Sequence, residues 1–417
     1  MIRYGFACKT IGVPGAEQTT LALGRADEEQ LLRAGRRNLR ALDAMVRYCR
    51  AEGIRLMRIS SDVIPLASHP GVSFDWQHLL QEELAAIATL IADTGVRVSM
   101  HPGQYTVLNS PRDDVVERAV EDLRFHADFL GAVGADMTAR IILHLGGGYG
   151  DKQAALRRLA RNIETLPAHI RNRLALENDE RIYTIEDVLA VCGEFALPAV
   201  FDVYHHAINP PPHGATPDWL DKAALTWEGE SGRQKIHYSQ QWPGGKPGMH
   251  SQSISMDAFL PFHAGLRGRE LDVMLEVKDK NLSAVKCANL TAPDLPRRKL
   301  TDEWARYKYL VLEHDPAAYN EIRALLRDNE PDAAGFYNRL EKALGKTVAP
   351  GHARNAAQHV WGYVDKLASA AESRRVLADI AALDGDARAL PRLKNKLLAL
   401  AAKHEREYLL RSLYFYL

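Results

Sequence analysis

Leu174-Ala175-Leu176-Glu177-Asn178-Asp179 sets a carboxylate directly behind three apolar residues. An imidazole or carboxylate likewise closes a short run along the first two thirds of the chain, in Ile141-Ile142-Leu143-His144, Val200-Phe201-Asp202 and Lys235-Ile236-His237. Apolar runs at 2–8, 55–60, 97–101, 140–144, 174–177, 199–202, 234–237 and 272–276 read as strands. Between them, apolar residues three and four apart predict helices over 28–52, 76–93, 113–133, 151–164 and 184–194. Thr184 with Asp187 three residues on makes an N-capping pair for the last of these. Such alternation suits a (β/α)8 barrel and a doubly wound open sheet equally. The strand ends decide between them. His101, His144, Glu177, Asp202, His237 and Glu276 are each expected at the last position of a different strand. A barrel gathers all its carboxyl ends on one face, whereas an open sheet spreads them along an edge. The expected fold is therefore α/β, a (β/α)8 TIM barrel.

Carboxylates closing apolar strands are costly near a core unless they are paired or coordinate a metal, and several together repel one another. Divalent cations would remove both conflicts. Mixed imidazole and carboxylate donors suit zinc, manganese or iron better than calcium or magnesium, and six are too many for one tetrahedral ion. Two or three ions are expected. Three further groups belong with them: His205, three residues past Asp202; His250, in Gly248-Met249-His250; and Lys235, two residues before His237. By strand alternation Lys235 faces the same side as His237, where it either pairs with a carboxylate or competes with the ions. His206 is expected to face away. Clustered metals activate water and stabilise an in-line displacement at phosphorus, so phosphodiester hydrolysis is the natural chemistry.

The 417-residue length exceeds one ordinary core. From residue 292 the strand signal is gone and helical spacing runs to the end, so a barrel over 1–284, a linker over 285–291 and an all-α domain over 292–417 are expected. Helix breaks are expected near Asp315-Pro316, Glu330-Pro331, Ala349-Pro350 and Leu390-Pro391. With 53 basic and 53 acidic residues the net charge is zero, which gives no support to a generally basic, phosphate-tracking surface. From residue 285 onward there are 22 Lys and Arg against 17 Asp and Glu, and before it 31 against 36. The acidic first part needs bound cations or a local basic patch to hold phosphates. No apolar run approaches the roughly 20 residues of a membrane span, and the start reads as a strand, not a signal peptide. Cys8, Cys49, Cys192 and Cys287 are scattered, with no Cys-x-x-Cys pair, so neither a disulfide framework nor a thiolate zinc site is expected. A reducing cytoplasm is the expected location.

His101-Pro102-Gly103-Gln104-Tyr105, His144-Leu145-Gly146-Gly147, Leu176-Glu177-Asn178-Asp179, Asp202 with His205-His206, and Lys235-Ile236-His237 together resemble the UV damage endonuclease family, in order, from residue 2 to about 280. The resemblance implies a TIM barrel related to endonuclease IV and xylose isomerase. It implies nicking of double-stranded DNA immediately 5′ to pyrimidine photodimers and similar lesions, leaving a 3′-hydroxyl. It implies one metal on His101, His144 and Glu177, a second on Glu177, Asp202, His237 and Glu276, and a third on His205 and His250. Manganese is the expected ion, with zinc or magnesium as alternatives. Glu177 would bridge two ions, His69 in Ser68-His69-Pro70 matches an active-site histidine, and Lys235 matches a lysine that can be carboxylated. Gln104 and Tyr105 match the pair that probes the duplex, an aromatic filling the gap left by extruded bases. Phe6 and Thr10 stand where the family can carry Tyr and Asn, so a phenol and an amide are lost beside the lesion.

The tail is similar to the uncharacterised C-terminal domain of YbgA proteins through Tyr307-Lys308-Tyr309-Leu310, His352-Ala353-Arg354-Asn355, Gln358-His359-Val360-Trp361-Gly362-Tyr363 and Pro391-Arg392-Leu393-Lys394. It is a candidate module for a protein or DNA partner, although solvated helix faces explain the same residues. A monomer is expected. The competing reading of the barrel is a metal-dependent sugar isomerase or epimerase of the same superfamily, which gives no reason for Gln104-Tyr105.

Overall fold

The computed structural model describes residues 1–328, 330, 332–383 and 389–417. Eight parallel strands close into a barrel in sequence order: β1 (Arg3–Ala7), β2 (Leu56–Ile59), β3 (Arg97–Met100), β4 (Ile141–His144), β5 (Leu174–Glu177), β6 (Ala199–Asp202), β7 (Gln234–Tyr238) and β8 (Leu271–Leu275). β8 pairs with β1, so no sheet edge remains. Strands buried on both faces read as near-continuous apolar runs, the pattern that marked them in the sequence.

The expected helix over 28–52 forms as Glu28–Glu52, capped at its start by Asp27, which accepts the Gln30 N–H, and ended by Gly53 at φ 76°. The expected 76–93 helix is broken in two, Trp76–Leu79 and Gln81–Thr94. Leu80 leaves helical geometry (φ −119°, ψ 17°) and is fully buried, its methyl groups filling the space above Gly35. Core packing thus outweighs helix continuity at that residue. Thr184 and Asp187 form the reciprocal cap, worth about 1 kcal/mol.

The amino-terminal end of the barrel is closed by charge. Asp272, fully buried on β8, accepts from Arg3 at 2.6 and 2.7 Å and from Arg97 at 2.8 Å. Arg97 also donates to the carbonyls of Arg233, Thr138 and Ser231. In this fold such a network serves stability, leaving the carboxyl end for chemistry.

Contacts divide the chain into two units. Unit 1 holds 1–10, 15–254 and 258–285; unit 2 holds 11–14, 255–257 and 286–417. Residues 285–291, expected as a linker, are instead part of the helix Asn281–Thr291. That run contains neither Gly nor Pro to stop a helix. Unit 2 is all helical among the described residues, with Arg297–His314, Pro316–Leu325, Ala333–Leu344, Pro350–Trp361, Ala370–Ala382 and Ala389–Lys403. Its core packs Val360, Val364, Val376, Leu393, Leu397 and Tyr414. Asp315 caps the helix beginning at Pro316. Leu390-Pro391, expected as a break, lies within the described helix Ala389–Lys403. Pro331, part of another expected break, lies outside the described residues. No helix among the described residues is long and apolar enough to cross a membrane, and all four cysteines are free thiols.

Candidate metal centre

Strand register builds the site. β4 and β5 pair His144 beside Glu177, and β6 and β7 pair Asp202 beside His237. His144, Glu177 and Asp202 are the last residues of their strands. His101 and Glu276 come one residue after β3 and β8, and His237 one residue before the end of β7, small departures from the expected strand-end positions. All six remain at the carboxyl rim.

Glu177, wholly buried, is the hub. Its Oε2 lies 3.0 Å from His101 Nε2 and 3.5 Å from His144 Nε2; its Oε1 lies 2.6 Å from His237 Nδ1. His237 Nδ1 is also 3.2 Å from Glu276 Oε1. One ring nitrogen thus faces two carboxylates, and a single N–H cannot satisfy both. Asp202 Oδ2 and Lys235 Nζ are buried without a hydrogen-bond partner. Burial raises the Asp202 carboxyl above its ordinary range. Burial would raise Glu177 too, but the imidazoles of His237, His144 and His101 hold it well below. Glu276 is likewise held low against its burial by Arg58 and His237. Burial pushes His101 down to about 4, keeping a neutral ring with a lone pair to offer. Against its own burial, His205 is pushed up to about 9 by Asp202, Glu177 and Glu276. The cavity is short of positive charge.

Ligand atoms of His101, His144 and Glu177, of Glu177, His237 and Glu276, and of Glu177, Asp202 and His205 each lie within 4.8 Å of one another, close enough to hold a metal ion. Glu177 belongs to all three groups. The orphaned Asp202 oxygen, the doubly faced His237 nitrogen and the neutral His101 ring fit divalent cations. His250 is in none of these groups; its Nδ1 bonds the Glu276 carbonyl at 2.6 Å and its ring centroid is 6.0 Å from that of His205. Lys235 is fully buried among charged neighbours, and burial and Arg97 lower its amine far below the lysine range despite Asp272. The pairing with Asp272 that strand register allows is pre-empted by Arg3 and Arg97. His206 packs on Phe201 at 4.9 Å between centroids.

The remaining expected residues lie on loops. Gln104 and Tyr105 occupy the centre of a turn closed by Thr106 N–H to Gly103 O at 2.9 Å, and Tyr105 is 68% exposed. A Cβ at Gly103 would meet the Tyr105 ring, so a larger residue there would displace that exposed side chain. His69 is in none of the three ligand groups. Its Nδ1 accepts the Gly71 N–H at 3.0 Å, and it lines a cavity of about 460 Å³ with Ser68, Trp76 and Phe125. Phe6 is fully buried in the barrel, and Thr10 Oγ1 is buried without a partner.

Sequence reasoning missed two residues. Arg58, on β2, pairs with Glu276 and is a permanent cation facing the cluster; an arginine inside the run Leu56-Met57-Arg58-Ile59 was the available signal. Asn178 bonds the Asp202 backbone in both directions, at 2.9 and 3.0 Å, and its carbonyl meets His205 Nδ1 at 3.0 Å. Nothing in the sequence marks that role.

An eight-stranded parallel barrel with imidazoles and carboxylates gathered at its carboxyl rim defines a TIM-barrel protein equipped to bind metal ions. Its particular kind follows from comparison with known proteins. The family described as UV-endonuclease UvdE matches residues 2–301, and the chain belongs to that family. Residues 308–417 match a family described as protein of unknown function (DUF1722), the YbgA-like domain. The UV DNA damage endonuclease of Clostridium perfringens (strain 13 / Type A) is 34% identical over 347 residues, 82% of this chain and 83% of that protein. The protein of the same name from Bacillus pumilus (strain SAFR-032) is 36% identical over 62% of this chain and 82% of its own length. The crystal structure of SacUVDE, at 35% identity, covers 70% of this chain and 98% of its own, with a TM-score of 0.66.

Proposed function

We propose that the protein is a metal-dependent DNA endonuclease that nicks UV-damaged duplex immediately 5′ to pyrimidine photodimers and related lesions, leaving a 3′-hydroxyl. The observation that carries this reading is the hub at Glu177, where one buried carboxylate meets three imidazoles from three other strand ends. Relatives named UV DNA damage endonuclease support the substrate.

Two or three divalent ions, manganese in the first place, would be held by His101, His144, Glu177, Asp202, His205, His237, His250 and Glu276. When bound they would supply water activation and neutralise charge on the phosphodiester. The chain's own residues do the rest. Asn178 fixes the orientation of Asp202 and His205, and Arg58 orients Glu276. Burial and Arg97 lower the Lys235 amine far below the lysine range, and in its unprotonated form its nitrogen would attack carbon dioxide, losing a proton to become an anionic carbamate. His69 acts beside the reacting strand, and Gln104 and Tyr105 read the lesion. The sugar isomerase alternative leaves an aromatic ring 68% exposed at the rim without a purpose.

The test is nicking of a duplex carrying one defined photodimer, with metals varied and Glu177→Ala as control. Metal-dependent cutting at the lesion that Glu177→Ala abolishes is expected. Full activity in that variant overturns the metal mechanism, and equal cutting of undamaged duplex overturns the specificity.

A further inference from the structure

Helix Asp113–Ala132 carries a carboxylate that ordinary helix physics does not explain. Asp122 is 5% exposed, and a buried acid in mid-helix costs several kcal/mol unless its oxygens are used. Both are used, and by two different loops. Ser68 Oγ donates to Oδ1 at 2.8 Å, and Thr106 Oγ1 donates to Oδ2 at 2.6 Å. Ser68 immediately precedes His69, and Thr106 immediately follows Tyr105. One turn further along the same helix, His126 is wholly buried. Its Nδ1 meets the Asp122 carbonyl at 2.6 Å and its Nε2 meets Ser61 Oγ at 3.0 Å, while Ser61 Oγ donates to the His101 carbonyl at 2.8 Å.

Each loop has its own local hydrogen bonds, Thr106 N–H to Gly103 O in one and His69 N–H to Leu66 O and Val72 N–H to His69 O in the other, and the bonds to Asp122 join both to one helix. The turn bearing Gln104 and Tyr105 exposes both side chains, and its last residue, Thr106, is buried at 3%. The loop bearing His69 includes Leu66 at φ 60°, a conformation that costs a branched side chain about 1 kcal/mol or more and persists only where neighbours hold it. A rim loop positioned by hydrogen bonds to a rigid helix keeps its reactive or probing side chains within the narrow tolerance that function demands.

We propose that Asp122 is a positioning residue that sets the lesion-probing turn and the His69 loop in register with one another, with His126 and Ser61 tying the same helix to the backbone of His101. The inference rests on the reading of Gln104 and Tyr105 as the lesion probe. Asp122 touches no substrate in this scheme. It fixes the separation between the residues that find damage and a histidine beside the cut, so that damage recognition and strand cleavage occur at a set spacing along the duplex.

The hydroxyls can be removed one at a time in the full chain. Thr106→Val keeps shape and loses the bond to Asp122; Thr106→Ser keeps the bond. The measurements are kcat and KM on lesion duplex and on undamaged duplex, bound-metal content and Tm. Thr106→Val is expected to lower the preference for lesion duplex about tenfold, the equivalent of one charge-assisted hydrogen bond, at unchanged metal content. Thr106→Ser should restore it. Ser68→Ala is expected to lower kcat on lesion duplex with little change in KM. Wild-type preference in Thr106→Val, while Tyr105→Ala has lost it, overturns the role of Asp122 alone. Wild-type preference in Tyr105→Ala overturns the probe reading and this inference with it. Equal losses on both duplexes with a lowered Tm reduce Asp122 to a structural residue and also overturn the inference.

Discussion

His237 Nδ1 lies 2.6 Å from Glu177 Oε1, and both side chains are buried. The pair joins strands β7 and β5, which are not neighbours in the barrel, across the interior of the rim. Removing the charge while keeping the shape tests that junction. Glu177→Gln is expected to lower bound metal and to cut nicking at least about a hundredfold, because it takes a ligand from every group it joins. Elemental analysis and a nicking assay read the two effects together.

Asn178 makes no contact with a reacting atom in the proposed mechanism, yet its side chain bonds the Asp202 backbone twice, while its main-chain carbonyl, which a side-chain change leaves in place, meets His205 Nδ1. Asn178→Ala should weaken metal binding by about 10- to 100-fold, the ordinary effect of losing an orienting partner. Titration with manganese should recover most of the activity, which a loss of fold would not permit.

In the metal-free protein, His205 is pushed up to about 9 by Asp202, Glu177 and Glu276 despite its burial. Its folded pKa therefore exceeds the unfolded value near 6.5, so its contribution to stability is complete below about pH 6.5 and is lost as pH rises through about 9. Thermal unfolding in chelator should show Tm falling across that window. Added manganese should raise Tm as its concentration grows, stabilising the fold by about 2.7 kcal/mol at a hundred times Kd, and should flatten the fall.

Tyr105 is 68% exposed and its ring covers Gly103. Tyr105→Ala should leave stability within about 0.5 kcal/mol of wild type, as for most surface changes, while removing the preference for damaged over undamaged duplex. Competition between the two duplexes in one reaction gives the ratio directly.

In unit 2, Lys394 Nζ lies 2.9 Å from Glu313 Oε2, and the glutamate is 1% exposed. Lys394→Met strands that carboxylate and should cost about 3–5 kcal/mol. The double variant with Glu313→Gln should recover part of the loss, which chemical denaturation can measure.

Strand positions, barrel class and the six strand-end donors were legible in the sequence because a buried parallel strand must be apolar, and a donor closing one must have a reason to be there. The tail's helical character was legible from its spacing. Other features were decided only when distant segments met. The 76–93 helix breaks because Leu80 is claimed by the space over Gly35, which lies about forty-five residues away in sequence. Lys235 has no carboxylate because Arg3 and Arg97 reach Asp272 first. Arg58 meets Glu276 because barrel closure brings β2 and β8 to either side of β1.

By itself, then, the sequence determined which residues could serve as ligands at the rim, because polarity at a strand end is a local property. Only the tertiary structure decided that Glu177 would be shared by three groups of donors, that Asn178 would hold two of them, and that Asp122 would tie two loops together. Hydrogen bonds depend on distances of a few tenths of an ångström between groups far apart in the chain. Those distances are set by barrel closure and register, which no local pattern records.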